Sequence, residues 1–274
     1  MSDSLFAPIA IGGLEIRNRI VMPAMHMNMC RDFQVSDRLV RFYRERAEGG
    51  AGLIVVGYAT VDEYSGGPTN IGCHHDDQLP GLSRLASAIR DGGARAAIQL
   101  NHAGRYNPSF FLGGQPAVAP SPVASRLTRE TPREMSEEEV VATIGRFAQA
   151  AVRAGKAGFD AVEILAGTGY LISSFLSPLT NQRSDDYGGS LENRMRFPLE
   201  VFDAVRAAFP AGKPVGMRIS ATDWVAGVFA MDAKGQDNRA LDSGPASILG
   251  GYTADTRARA SGRASVRAGH RPGA

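Results

Sequence analysis

Glu163-Ile164-Leu165-Ala166-Gly167-Thr168-Gly169-Tyr170-Leu171-Ile172-Ser173-Ser174-Phe175-Leu176-Ser177-Pro178-Leu179-Thr180-Asn181-Gln182-Arg183-Ser184-Asp185-Asp186-Tyr187-Gly188-Gly189-Ser190 runs from the end of an apolar strand into a long, polar, glycine-punctuated loop. Loops that follow the strands of an α/β barrel carry its chemistry, so this stretch marks a candidate site. On its N-terminal side, Ser136-Glu137-Glu138-Glu139 is a capping-box pattern that predicts a helix through about Ala154. Val140, Ile144, Phe147 and Ala151 form its apolar stripe, and Gly155 lies near its end. On its C-terminal side, Leu191 to Phe209 reads as the next helix.

The same alternation extends back to the N-terminus. Arg19 to Met22, Gly52 to Val56, Arg95 to Leu100, Phe159 to Ile164 and Pro214 to Ile219 are short, continuous apolar runs. Continuity rather than strict alternation suits strands covered on both faces, as in a parallel sheet. Asp37 to Glu48 and Leu82 to Asp91 read as helices between them. Strand and helix in repeated order imply right-handed crossovers, hence a doubly wound sheet or a barrel. No Gly-x-Gly-x-x-Gly turn or phosphate loop opens the first helix, which favours the barrel. The long segments after the third and fourth strands, about 101–135 and 166–190, favour it as well, because compact domains keep such loops for function.

A chain of 274 residues with 43% hydrophobic content can bury a sizeable core. Its Lys+Arg count of 30 nearly balances an Asp+Glu count of 28, so neither nucleic acid nor an anionic membrane is expected as a partner. The two cysteines, Cys30 and Cys73, are far apart and lack paired metal-ligand spacing, which argues against a disulfide framework and for a reducing, cytoplasmic setting. No run reaches the roughly 18 apolar residues of a membrane span. His74-His75-Asp76-Asp77 invites a metal reading, but no partner cluster accompanies it, and no metal is expected.

Leu5-Phe6-Ala7-Pro8, Arg17-Asn18-Arg19, Met22-Pro23-Ala24-Met25-His26, Gln99-Leu100-Asn101-His102-Ala103-Gly104-Arg105-Tyr106, the opening stretch and Met217-Arg218-Ile219-Ser220 together resemble the old yellow enzyme, or NADH:flavin oxidoreductase, family. The resemblance is nearest to its 2,4-dienoyl-CoA reductase-like branch and runs from about Leu5 to Gly227. It implies an eight-stranded TIM (β/α)8 barrel, of which residues 1–228 would hold the first five βα units. Residues 229–274, poor in large apolar side chains and without a period, are expected to form a disordered or out-of-frame tail. A partial barrel would expose unpaired strand edges, through which self-association is expected.

The resemblance also implies FMN as cofactor and NAD(P)H as reductant, with hydride passed by way of the flavin to an activated carbon–carbon double bond of a small molecule, an enone or an enoyl or dienoyl thioester. The iron–sulfur cluster of the longer relatives is not expected. Pro23, Ala24 and Met25 would line the flavin ring. Gly57 would offer backbone to its pyrimidine edge, Gln99 would hydrogen-bond that edge, and Arg218 would place a positive charge beside it. Tyr170 would be the proton donor, since the carbon opposite hydride addition needs an acid. His26 and Thr168 would face the substrate. Taken singly, each of these residues also has a structural reading; their placement at successive strand ends favours the functional one.

The carbonyl-holding His-x-x-His or His-x-x-Asn pair of many members falls here on Leu165 and Thr168, and Leu donates no hydrogen bond. That departure favours thioester substrates. His102 is expected to fix its loop through Arg105 or a backbone carbonyl, and Asn181 to Gly189 to brace the long loop. The alternatives are a truncated, inactive relative without stable flavin binding, and an unrelated parallel α/β binding protein.

Overall fold

The computed structural model describes residues 4–220, so the expected tail from 229 and its boundary lie outside the described residues. The chain opens with a hairpin, β1 (Ile9–Ile11) and β2 (Leu14–Ile16), turned at Gly12-Gly13 with Gly12 at φ +57°. It continues through β3 (Val21–Met22), α1 (Asp37–Glu48), β4 (Leu53–Thr60), β5 (Ile71–Gly72), α2 (Leu79–Asp91), β6 (Arg95–Asn101), β7 (Val118–Ala119) and β8 (Arg133–Glu134). Then follow α3 (Glu137–Lys156), β9 (Ala161–Ala166), α4 (Leu171–Leu176), α5 (Leu191–Ala208) and β10 (Val215–Ile219).

The parallel sheet has the order β10-β9-β6-β4-β3, with β5 beside the end of β4. Each main strand joins its neighbour through a helical crossover, so the order is that of a barrel wall built in sequence. Two apolar clusters occupy its two faces. Outward-facing Ile54, Val56, Ile98, Leu100, Val162 and Ile164 pack against Leu39, Leu85, Phe147 and Val201 of the helices. Inward-facing Leu53, Val55, Ala97 and Ala161 form a smaller cluster with Ile16 of the hairpin, which closes the floor where the strands begin.

All the expected strands and helices are present. Two boundaries moved for identifiable reasons. α2 starts at Leu79 rather than Leu82 because Pro80 sits in the first turn, where its missing N–H costs nothing. β4 runs past Val56 to Thr60 because its register with β6 shifts by one residue between Val56 and Ala59, so that Gly57 and Tyr58 together face Gln99 without ending the strand. Helix starts follow the local signals: Ser36 and Ser190 accept from Leu39 N–H and Asn193 N–H, and Ser136 and Glu139 complete the capping box of α3.

Both long loops contain structure that the sequence reading did not place. Residues 101–135 hold 3-10 turns at Gly104–Tyr106 and Ser109–Leu112 and the parallel pair β7·β8. Residues 166–190 hold α4, which buries Leu171, Ile172, Phe175 and Leu176.

Candidate functional site

Side chains alternate across a strand, and the strand ends therefore gather a defined set on the inner face. On β6, Ile98 and Leu100 point outward into the helix-packed core, leaving Ala97, Gln99 and Asn101 inward. β9 is paired so that Gln99 lies opposite Glu163, and Leu165 lies opposite Arg218 of β10. Gln99 and Glu163 are buried, and Arg218 is partly open. Gln99 Nε2 donates to Glu163 Oε1 at 2.6 Å, while Arg218 Nε and Nη2 donate to Glu163 Oε1 and Oε2 at 3.0 and 3.2 Å. A single carboxylate thus holds an amide and a guanidinium side by side across three strands, with a two-point grip on the guanidinium.

One wall of this space comes from the chain after β3. Met25 bridges Gly57 in an isolated antiparallel pair, and Met25 is 42% exposed. A Cβ on Gly57 would stand 2.9 Å from Gln99 Cβ and 3.4 Å from Ala24 Cβ. Gly57 therefore allows backbone, Ala24 and Gln99 to converge where any larger residue would collide. Pro23, Ala24, Met25, Gly57, Gln99 and Arg218 are brought to the same end of the sheet.

Aromatic residues adjoin this wall. Tyr170 caps α4 and packs edge-on against both Tyr58 (5.6 Å between ring centroids) and Tyr106 (5.7 Å). Thr168 at φ +58° and Gly169 at φ +84° turn the chain to place it there, and a Cβ on Gly169 would run into the Tyr106 hydroxyl. Burial, with Tyr106 contributing, pushes the Tyr170 phenol above its ordinary range, so it keeps its proton at neutral pH. Thr168 N–H donates to Ser220 Oγ at 2.9 Å.

His26 leans on Tyr58 with ring centroids 5.1 Å apart. Asn70 Oδ1 accepts from Gly67 N–H, which leaves Asn70 Nδ2 to donate to His26 Nε2 at 2.8 Å. The imidazole is thus an acceptor there, and burial lowers its pKa, so it stands neutral. His102 takes a different partner from the one expected. Its Nδ1 accepts from Gly104 N–H at 3.0 Å, and its Nε2 faces Asp62 at 3.6 Å, whereas Arg105 reaches Ala124 O instead. Asp62 also accepts from Ser65 Oγ, Tyr64 N–H and Arg146, a buried knot that only the fold assembles. His102 O in turn accepts from Leu171 N–H at 3.0 Å, joining this knot to the residue after Tyr170.

Asn181 and Arg183 brace the long loop. Asn181 Nδ2 donates to Phe175 O and Tyr187 O; Arg183 pairs with Asp185 and donates to Pro120 O and Met135 O. His74 pairs with Thr60 Oγ1 and Gln78 Nε2, and no cluster suited to a metal ion occurs among the described residues. Sequence reasoning missed Glu163, Tyr58, Tyr106 and Asp62. Glu163 alone had a visible signal, a carboxylate inside an otherwise apolar strand.

Residues 4–243 match the model of the NADH:flavin oxidoreductase / NADH oxidase family, which extends past Gly227, where the motif resemblance ends. The chain is 51% identical over 223 residues to a metal reductase of Desulforamulus reducens, covering 81% of this chain and 33% of that protein. It is 42% identical over 228 residues to an NADPH dehydrogenase of Geobacillus sp. strain WCH70, covering 82% of this chain and 65% of that one. A 2-naphthoyl-CoA reductase solved with 2-naphthoyl-CoA superposes with a TM-score of 0.79 at 35% identity, over 83% of this chain and 37% of that chain. The chain therefore spans between about a third and two thirds of the length of these relatives.

Proposed function

The chain belongs to the NADH:flavin oxidoreductase / NADH oxidase family, and from that premise we propose that it provides the strand-end site of an FMN-dependent reductase acting on a carbonyl-activated carbon–carbon double bond. The observation that carries this reading is the convergence of Gln99, Glu163 and Arg218 on the inner face.

The residues present fit a flavin. An amide and a guanidinium side by side suit a ring edge that carries carbonyl oxygens and gains negative charge on reduction. Gly57, where a Cβ would fill the space beside Gln99, leaves room for a flat ring to approach backbone. Gln99 and Arg218 would hold the edge, Pro23, Ala24 and Met25 would line the face, and bound FMN would supply hydride drawn from NAD(P)H. Tyr170 keeps its proton at neutral pH and is positioned by rigid aromatic neighbours to give it from Oη to the substrate carbon. His26, neutral and held by Asn70, and Thr168 border the substrate side.

Leu165 occupies the inner face opposite Arg218, where it offers only apolar contact. That absence of a donor, together with the thioester seen in the 2-naphthoyl-CoA reductase neighbour, supports an enoyl or dienoyl thioester as substrate class. The test is the visible spectrum of the purified chain after FMN is added and free flavin removed. Flavin retained near one equivalent, and lost in Arg218→Ala, is the expected result. A colourless chain would favour a relative without cofactor binding.

A further inference from the structure

We infer that Asn101 is a hydrogen-bonding anchor for the substrate carbonyl, standing in for the donor that Leu165 does not supply; the assignment rests on the carbonyl-activated substrate proposed above. Asn101 is fully buried, and neither its Oδ1 nor its Nδ2 makes a hydrogen bond among the described residues. Buried side-chain amides are nearly always paired, and leaving one unpaired costs on the order of 1–3 kcal/mol per group. Such a residue calls for a partner that the described residues do not supply, an ordered water or a bound ligand.

Its place in the fold says what that is. Strand alternation puts Asn101 on the same inner face as Gln99, and two residues further along β6 is roughly 6–7 Å nearer the mouth of the site. The Gln99–Glu163–Arg218 row is thus one pleat below it. Immediately after Asn101 the chain is locked to the Tyr170 segment: His102 O accepts from Leu171 N–H at 3.0 Å, and a Cβ on Gly104 would lie 3.0 Å from Leu171 Cα. The residues that follow Asn101 are thus tied to the segment that follows Tyr170, and in the proposed arrangement the amide lies above the flavin-edge residues on the Tyr170 side. A primary amide donates through Nδ2 to a ketone or thioester oxygen without bringing in a charge. That donation withdraws electron density from the double bond that Tyr170 would protonate.

The experiment compares the FMN-treated full chain with its Asn101→Ala and Asn101→Leu variants, titrated with 2-cyclohexenone and with cyclohexene, which has a similar shape but no carbonyl. The inference expects wild-type protein to prefer the ketone, Asn101→Ala to lose about tenfold in ketone affinity with cyclohexene unchanged, and ligand-free Asn101→Leu to melt no lower than wild type. It is overturned by a wild type without ketone preference, by equal ketone affinity in Asn101→Ala, or by a marked fall in the melting temperature of Asn101→Leu, which would reveal an internal partner for the amide. Flavin absorbance is read on the same samples. Retained flavin with no effect of Asn101 removes the inference and leaves the flavin reading; a colourless chain whose ketone preference depends on Asn101 does the reverse.

Discussion

Tyr170 is set in place by its own neighbours, because Tyr58 and Tyr106 flank it and Thr168-Gly169 turns the chain to present it. Under the proposed function, Tyr170→Phe keeps this packing and removes only the hydroxyl with its proton, so turnover of an enoyl thioester is expected to fall about 10²-fold or more while flavin retention is unchanged; steady-state assays beside the flavin absorbance would check both. Glu163 differs in kind, since its carboxylate is what holds Gln99 and Arg218 together. Glu163→Leu leaves both without that partner and is expected to weaken FMN retention at least tenfold and to cost about 1–3 kcal/mol in urea unfolding. At Gly57 the constraint is steric. Gly57→Ala drives a Cβ to 2.9 Å from Gln99 Cβ and is expected to cost about 1–3 kcal/mol, with flavin released on gel filtration. Gln99, Arg218 and Tyr170 are legible as candidates through the family resemblance, which for Gln99 and Arg218 is supported by their place on successive strands. Glu163 was passed over because a carboxylate's partner on another strand is a matter of register, which local sequence does not carry.

At the scale of the element, α3 and the loop before α5 show how much a local signal decides. Ser136 and Glu139 close both ends of a capping box, and Glu139 also binds Arg133 at 2.6 Å, which holds the Glu139 carboxyl down to about 2. The pair is largely exposed, so its acid sensitivity between about 4.5 and 2 adds little to stability. Ser136→Ala is expected to cost about 0.5–2 kcal/mol through the lost cap, read from the shift of the urea midpoint. α4, by contrast, has no local signal and lies in what the sequence presents as a loop. Six residues are too few for a helical period to show, and the segment is helical because Leu171, Ile172, Phe175 and Leu176 find a core to enter and Asn181 ties down its far end.

For the whole molecule, burial of imidazoles sets the response to acid. His26, His74 and His102 all have pKa values lowered first by burial, with Asp62 opposing and Arg146 reinforcing the shift at His102. Each binds a proton more readily in the unfolded chain, so unfolding takes up protons once the pH falls below about 6.5, the ordinary value, and stability declines from there. Asp62, held below its ordinary range by His102, Ser65 and Arg146 against the cost of burial, loses its contribution only further down, as the pH drops through its folded value. The urea midpoint is therefore expected to be lower at pH 5.5 than at pH 7.5; an unchanged midpoint would mean that these rings are solvated. Among the described residues no helix is long and apolar enough to cross a membrane.

Taken by itself, the sequence determined a parallel α/β wall, because continuous apolar runs demand cover on both faces and serine caps mark where the covering helices begin. It also determined which strand ends carry polar groups. Tertiary structure alone decided who pairs with whom: Glu163 with Gln99, 64 residues away, and with Arg218, 55 away, and His102 with Asp62 rather than Arg105. Propensities and caps act within a few residues. Partnership between side chains depends on strand register and facing, which exist only once the wall has formed.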